Sequence, residues 1–374
     1  MNFVRFFLSL VFFSATSLAN LAELVGKKHE TLVLLHVLFR HGDRTPDKAS
    51  LFPNDLYTEA TYEPFGYSQL TTKGKKTEYS IGKYLRRTYA DFIPEQYSPD
   101  VVYALSTNVK RTKMSLQLVL ASLFPPLWGE TFELGLGWQP VPFNIEQGGN
   151  LISVASGYCP NYISKYYSYV LSDEAQKILA VYTDLYAKLS RYSGMDIITP
   201  KDAANIYFTL KCEEDFGLKL PQWASEVYPQ VLEDASAVDY ELSTATPDLK
   251  KLSAGFLLRK IIQDSLAKQN GTLPEKRKIF LYSAHEWNVA TMLRTLGVFY
   301  RHVPPFGATV FFEIHNIDGE FGLKLYYQDY KQTNPKLLVI PGCTSFCPLD
   351  ELIKLMGDNL PAEDDVCSTT EELM

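Results

Sequence analysis

Surplus positive charge is the first thing these 374 residues lack: 36 Lys and Arg stand against 43 Asp and Glu, for a net charge of -7. A protein that binds nucleic acid or an anionic membrane over a whole face needs clustered Lys and Arg, so neither is expected as a partner. An anionic ligand would have to be held by a local cationic pocket. Cysteine is scarce and odd in number, five in all, which leaves at least one thiol unpaired in a monomer. Cys343 and Cys347 in "PGCTSFCPLD" would make half of a zinc site, but structural zinc needs four ligands and no second cysteine or histidine pair follows. After the first twenty residues no apolar run is long enough to span a membrane. Repeats and low-complexity tracts are absent too. With 46% hydrophobic and 21% charged residues, the composition is that of an ordinary globular protein, long enough for two to three domains of about 150 residues.

What is present begins with "MNFVRFFLSLVFFSATSLAN". Arg5 in a short basic start, the apolar run from Phe6 to Phe13, and the small residues Ser17 and Ala19 predict a signal peptide over residues 1–19. The mature chain is then expected in a luminal or extracellular space, where disulfides persist. Asn270-Gly271-Thr272 is a glycosylation sequon in a polar stretch.

Three apolar runs end in polar residues. Thr31 to Phe39 precedes "RHGDRTP", Val101 to Leu105 precedes "STNVKRTKMS", and Ile279 to Tyr282 precedes Ser283, Ala284, His285 and Glu286. Such runs predict strands buried on both faces, hence an α/β sheet covered by helices. One helix is expected from "TTKGKKTEYSIGKYLRRTYADF" with Thr72 as its cap, and another, capped by Ser106 and Thr107, running until Pro125 and Pro126. Residues 140–246, aromatic, rich in lysine and broken by prolines, read as a second, smaller, mostly helical domain inserted between residues 20–139 and 247–374. Thr309 to Ile314 and Gly322 to Tyr327, around "HNIDGEF", predict a hairpin.

Ligands of open α/β sheets sit beyond the carboxyl ends of the strands, where all three polar segments fall. Arg40 and Arg44 present forks of donors that match phosphate oxygens, and Gly42 lets a backbone come close. His41 between them is a candidate nucleophile toward phosphorus. Arg111 is a candidate third guanidinium, His285 a donor to phosphoryl oxygens, and Glu286 a carboxylic acid able to protonate a leaving alkoxide. Each residue alone also fits a solvated turn or helix start. Their shared placement at strand ends favours the site.

These runs, with "YSAHEWN" and "PGCTSFCPL", resemble the histidine acid phosphatases of prostatic, lysosomal and insect venom type, in the same order over nearly the whole mature chain. Phosphoglycerate mutases share R-H-G, but the second motif and the leader separate the two branches. The resemblance implies a phosphoglycerate-mutase-like α/β sheet with a smaller helical domain. It implies phosphate held by Arg40, Arg44, Arg111 and His285, His41 as the nucleophile, Glu286 as the proton donor, and no metal or organic cofactor. The implied function is a secreted or lysosomal acid phosphatase that hydrolyses small phosphate monoesters through a phosphohistidine, as a monomer or a homodimer. Two departures stand out. The family's His-Asp is His285-Glu286 here, as in the insect venom type, and the partner expected for Cys212 falls near Thr309. The resemblance then implies bridges Cys343 to Cys347 and Cys159 to Cys367, with Cys212 left over.

Rival readings are a secreted phosphate-binding protein without turnover, a phosphomutase, and an inositol-polyphosphate phosphatase. Among the remaining residues, Arg301 and His302 are read as surface or packing groups and His36 as a satisfied core histidine. His29 and His315 have no identifiable partners. Asp43 is read as a brace of its own loop through backbone amides, and Arg86 and Arg87 as a solvated helix face.

Overall fold

Leu32–Arg40 (β1) is a strand because its side chains alternate between two apolar layers. Leu34 and Leu38 pack with Phe280 and Tyr282, while Leu35, Val37 and Phe39 pack with Ile279 and Leu281 on the opposite face. Each such burial contributes about 1.5–3 kcal/mol, which fixes the register. The computed structural model describes residues 29–147, 151–153, 157, 159–362, 365 and 367. The leader expected over residues 1–19 lies outside the described residues.

Seven more strands complete the sheet: β2 (Val102–Ser106), β3 (Asn144–Ile145), β4 (Ile279–Ala284), β5 (Thr309–Ile317), β6 (Glu320–Gln328), β7 (Lys336–Leu338) and β8 (Cys347–Pro348). The order is β3-β2-β4-β1-β5-β6-β7, with β8 paired to β6. Pairing is parallel from β3 to β1 and antiparallel beyond it, where β5 and β6 form the expected hairpin. Arg40 is in register with Ala284, and Ser106 with Ser283. Three parallel strands therefore end side by side, each releasing one polar segment at the same edge.

Helices α1 (Thr72–Thr88) and α2 (Lys110–Leu123) cover the Leu35 face. Then come α3 (Pro160–Val170), α4 (Asp173–Ala180), α5 (Thr183–Ser193), α6 (Pro200–Phe216) and α7 (Gln230–Leu242). They gather largely around a core of their own that includes Tyr162, Leu189, Ile206, Leu210 and Leu232. Next, α8 (Pro247–Lys250) passes through a π-helical stretch, Lys251–Gly255, into α9 (Phe256–Gln269). With α10 (Glu286–Thr295) and α11 (Leu349–Met356), α9 covers the second face of the sheet. Trp287 and Ala290 of α10 reach into the helical core, so this helix joins the two.

Some local expectations need correction. Thr71, not Thr72, caps α1, accepting from the Gly74 amide at 3.1 Å. Ser106 and Thr107 do not cap α2, because the Thr107 hydroxyl and carbonyl both bond Thr112 Oγ1 (2.8 and 3.0 Å). The start of the 140–246 stretch belongs to the sheet: β3 pairs with β2, the Glu146 amide donates to Ser106 O at 2.9 Å, and the helices begin only at Pro160. Disulfides join Cys159 to Cys367 and Cys343 to Cys347, and Cys212 is a buried free thiol.

Candidate active site

Beyond β1 the "RHGDRTP" loop is pressed against the start of α1. A Cβ on Gly42 would lie 2.5 Å from Gly74 O, and a Cβ on Gly74 would lie 2.0 Å from Asp43 O, so both positions need glycine. Gly42 thus serves the close approach of a helix, where the sequence suggested the approach of a ligand. Backbone bonds from Thr71 N to Asp43 O and from Thr45 N to Gln69 O, each 3.0 Å, clip the loop down. The Asp43 carboxylate takes Lys73 Nζ at 2.8 Å and the Thr77 hydroxyl at 3.1 Å. It braces the loop through α1 side chains, not through backbone amides.

His41 is 1% exposed. Its Nδ1 lies 2.9 Å from Gly42 O, a bond only a protonated Nδ1 can donate. Nε2 is left with its lone pair, which accepts from Arg111 Nε at 3.0 Å. Burial, reinforced by the guanidiniums of Arg111 and Arg40, holds the ring well below the ordinary 6.5, so it is neutral. A neutral imidazole with a fixed tautomer, a lone pair turned to Arg111 and further guanidiniums nearby is equipped for nucleophilic attack on an anion.

Arg40 donates from Nη1 to Pro304 O at 2.6 Å, lies 4.0 Å from the Phe306 ring centre, and holds Nε 3.4 Å from Glu286 Oε2. Arg44 pairs with Asp47 at 2.8 Å and donates to Thr45 O at 2.9 Å. Arg111 meets the same Asp47 at 3.3 Å. Arg40 Nη2 and Arg44 Nε are buried with no hydrogen-bond acceptor from the protein. Leaving guanidinium N–H groups so placed is costly unless an anion receives them.

At the third strand end the His285 amide donates to Asn288 Oδ1 at 3.1 Å, and Asn288 Nδ2 donates to Ile152 O at 2.9 Å. His285 Nε2 lies 3.2 Å from Thr107 Oγ1, and its ring centre is 5.5 Å from that of His41. Burial, then Arg111, pushes His285 down to about 3. Glu286 opens α10. Burial pushes its carboxyl up, but Arg40 and the backbone N–H groups at the helix start outweigh it and leave it below the ordinary 4.5. His41, His285 and Glu286 present ligand atoms within 4.8 Å of one another, a spacing a cation could use. The surrounding guanidiniums make the same place favour an anion. A cleft of about 770 Å³ opens from this point, lined by Arg44, Arg111 and His285 and by the aromatic side chains of Tyr162, Tyr166, Phe208, Tyr240 and Trp287.

The structure therefore brings Arg40, His41, Arg44, Arg111, His285 and Glu286 together. Sequence reasoning missed Asp47, Thr107 and Asn288. For Asp47 and Asn288 a signal existed, since each stands three residues after a site residue. Asn270 lies apart, exposed after α9. His29 and His315 do have partners, Asp91 at 2.9 Å and Thr31 and Glu313 at 2.8 and 3.1 Å. His36 is only half satisfied, with Nδ1 3.3 Å from Tyr282 Oη and Nε2 unpartnered. Arg301 forms surface ion pairs with Glu241 and Asp234, and His302 is buried against Tyr300. Arg86 is not a solvated group, because it donates to the Ile93 and Pro94 carbonyls.

Comparison with known proteins gives a consistent result. Residues 31–328 match the histidine phosphatase superfamily, branch 2. A venom acid phosphatase of Apis mellifera is 36% identical, over 93% of this chain and 90% of its own length. Prostatic acid phosphatase of Homo sapiens is 32% identical over 91% and 88%, and lysosomal acid phosphatase of Rattus norvegicus 30% over 89% and 79%. Among solved structures, the apo form of Hafnia alvei phytase covers 88% of this chain and 97% of its own, at a TM-score of 0.65 and 18% identity. That likeness concerns the fold.

Proposed function

Since the chain belongs to the histidine phosphatase superfamily, branch 2, and is an acid phosphatase, we propose that it works in two steps through a phosphohistidine at His41. In the first step the phosphoryl oxygens take over the Arg111 donor that otherwise engages His41 Nε2, and Nε2 attacks phosphorus. The P–O ester bond breaks as Glu286 gives its proton to the leaving alkoxide. In the second step water attacks phosphorus, Glu286 takes a proton from it, and the P–N bond breaks to release phosphate. Arg40, Arg44, Arg111 and His285 stabilise the charge on the transferring group.

The observation that carries this reading is the fixed, neutral His41 with Nε2 turned toward Arg111. Rapid acid-free quenching with labelled substrate should place acid-labile, base-stable label on the peptide containing His41. Label on another residue, or full activity in His41→Ala, would sink the mechanism.

The helices between Pro160 and Leu242 are read as an inserted unit that supplies most of the aromatic wall of the cleft. A secreted or lysosomal location has its support in the venom, prostatic and lysosomal relatives. Among the described residues no helix is long and apolar enough to cross a membrane. The exposure of Asn270 suits a glycan, and the exposed apolar side chains of Trp128 and Leu134 suit a homodimer contact. Action on inositol polyphosphates draws only on fold likeness to phytases.

A further inference from the structure

Among the described residues, Asp47 is the one carboxylate that pairs with two of the phosphate-binding guanidiniums. Its Oδ2 lies 2.8 Å from Arg44 Nη2, its Oδ1 lies 3.3 Å from Arg111 Nη1, and Ser68 Oγ donates to Oδ1 at 2.5 Å. Half-turned to the cleft, it keeps 26% of its side chain exposed. Burial pushes its carboxyl up, but Arg44 and then Arg111 outweigh this and hold it below the ordinary 3.8, so the charge persists at acidic pH. With Glu286 against Arg40, two fixed carboxylates already stand among three guanidiniums. Apart from Arg44, Arg111 and His285, Lys201 is the lone cation among the described lining residues, and the carboxylates of Glu146 and Asp239 line the same cleft.

We propose that Asp47 is a specificity-determining residue that restricts the site to esters bearing a single phosphate. The inference rests on the phosphate pocket read above. One phosphoryl group is compensated by the guanidinium donors that the protein leaves unpaired. A second phosphate on the leaving group would lie in the cleft that Asp47 helps to wall, where repulsion by one fixed charge in a partly screened setting corresponds to about tenfold in the specificity constant.

The test compares kcat/KM for β-glycerol phosphate, whose leaving group is neutral, with fructose 1,6-bisphosphate and inositol hexakisphosphate. In Asp47→Asn, which keeps the size and removes the charge, the ratio of polyanion to glycerol phosphate should rise about tenfold over the unmutated protein. Asp47→Glu should return the ratio toward the starting value, and Asp47→Ser should repeat the rise if the Asn variant does not fold. A parallel change for all substrates, leaving the ratio unmoved, would overturn the proposal and reduce Asp47 to a brace between arginines. Failure of the unmutated protein to turn over glycerol phosphate would instead overturn the reading of the pocket, and this proposal with it.

Discussion

A residue that protonates a leaving group must hold a proton when the ester bond breaks, and Glu286 is ionised in the free site because Arg40 outweighs its burial. An arriving phosphate reverses that balance, since its negative charge offsets the guanidiniums and adds repulsion to the carboxylate. If the proton passes through Glu286, Glu286→Gln should lower kcat for alkyl phosphates by about 10² to 10⁴. Aryl esters with good leaving groups should lose far less, and steady-state assays of β-glycerol phosphate against p-nitrophenyl phosphate read the difference. Equal losses would mean that Glu286 shapes the pocket and the proton comes from elsewhere. The six candidate residues could be read from the sequence because each lies in a polar segment that follows an apolar run. Asp47 could not be ranked, because its value depends on the loop turning back on itself. Only then do Arg44 and Arg111, 67 positions apart in the numbering, come within reach of one carboxylate. Asp91, the partner of His29, and Thr31, one partner of His315, were hidden for the same reason, lying 62 and 284 residues away.

At the scale of elements, the "RHGDRTP" loop is held by packing between two backbones. The close approach of Gly74 to Asp43 leaves no room for a methyl group. Gly82, two turns along α1, is equally confined, since a Cβ there would lie 2.1 Å from Val119 O of α2. Gly74→Ala and Gly82→Ala should each destabilise the fold by about 1–3 kcal/mol through overpacking, beyond the helix propensity that alanine adds. Only Gly74→Ala should also lower kcat of the folded protein, by about 10², because only there is the His41 loop displaced. Thermal melting combined with assays well below the transition separates the two effects. An unchanged kcat in folded Gly74→Ala would contradict the loop's dependence on this contact. Five of the eight strands among the described residues were legible because buried apolar runs announce themselves, whereas the short β3, β7 and β8 carry no such run. Helix starts were less so, since the Thr71 cap and the diversion of Thr107 to Thr112 depend on bonds made outside the simple pattern.

For the whole molecule, the buried ionisable groups make stability a function of pH from both sides. His36, His41 and His285 are held below the ordinary 6.5 by burial first. Their neutral form contributes stability above 6.5 that is lost as pH falls toward their folded values, at about 1.4 kcal/mol per group per pH unit. Glu78 and Glu213 are raised by burial first, Glu213 to about 8. Their contribution is complete below the ordinary 4.5 and is lost as pH rises through the folded values. With three histidines gaining against two glutamates losing, stability should still rise slightly up to about pH 6.5 and fall beyond it, so the melting temperature should peak near about pH 6.5, on the acidic side of neutrality. A scan from pH 3 to 9 that peaked at or above pH 8 would contradict these assignments. The bridge from Cys159 to Cys367, across 208 positions, carries a different consequence. Its second half follows the first by 208 residues, so the covalent tie cannot close until translation has passed residue 367. A chain that stops between residues 160 and 366 keeps an unmated Cys159 thiol, and thiol-disulfide exchange enzymes can use that thiol to tell such a copy from one in which the bridge has closed.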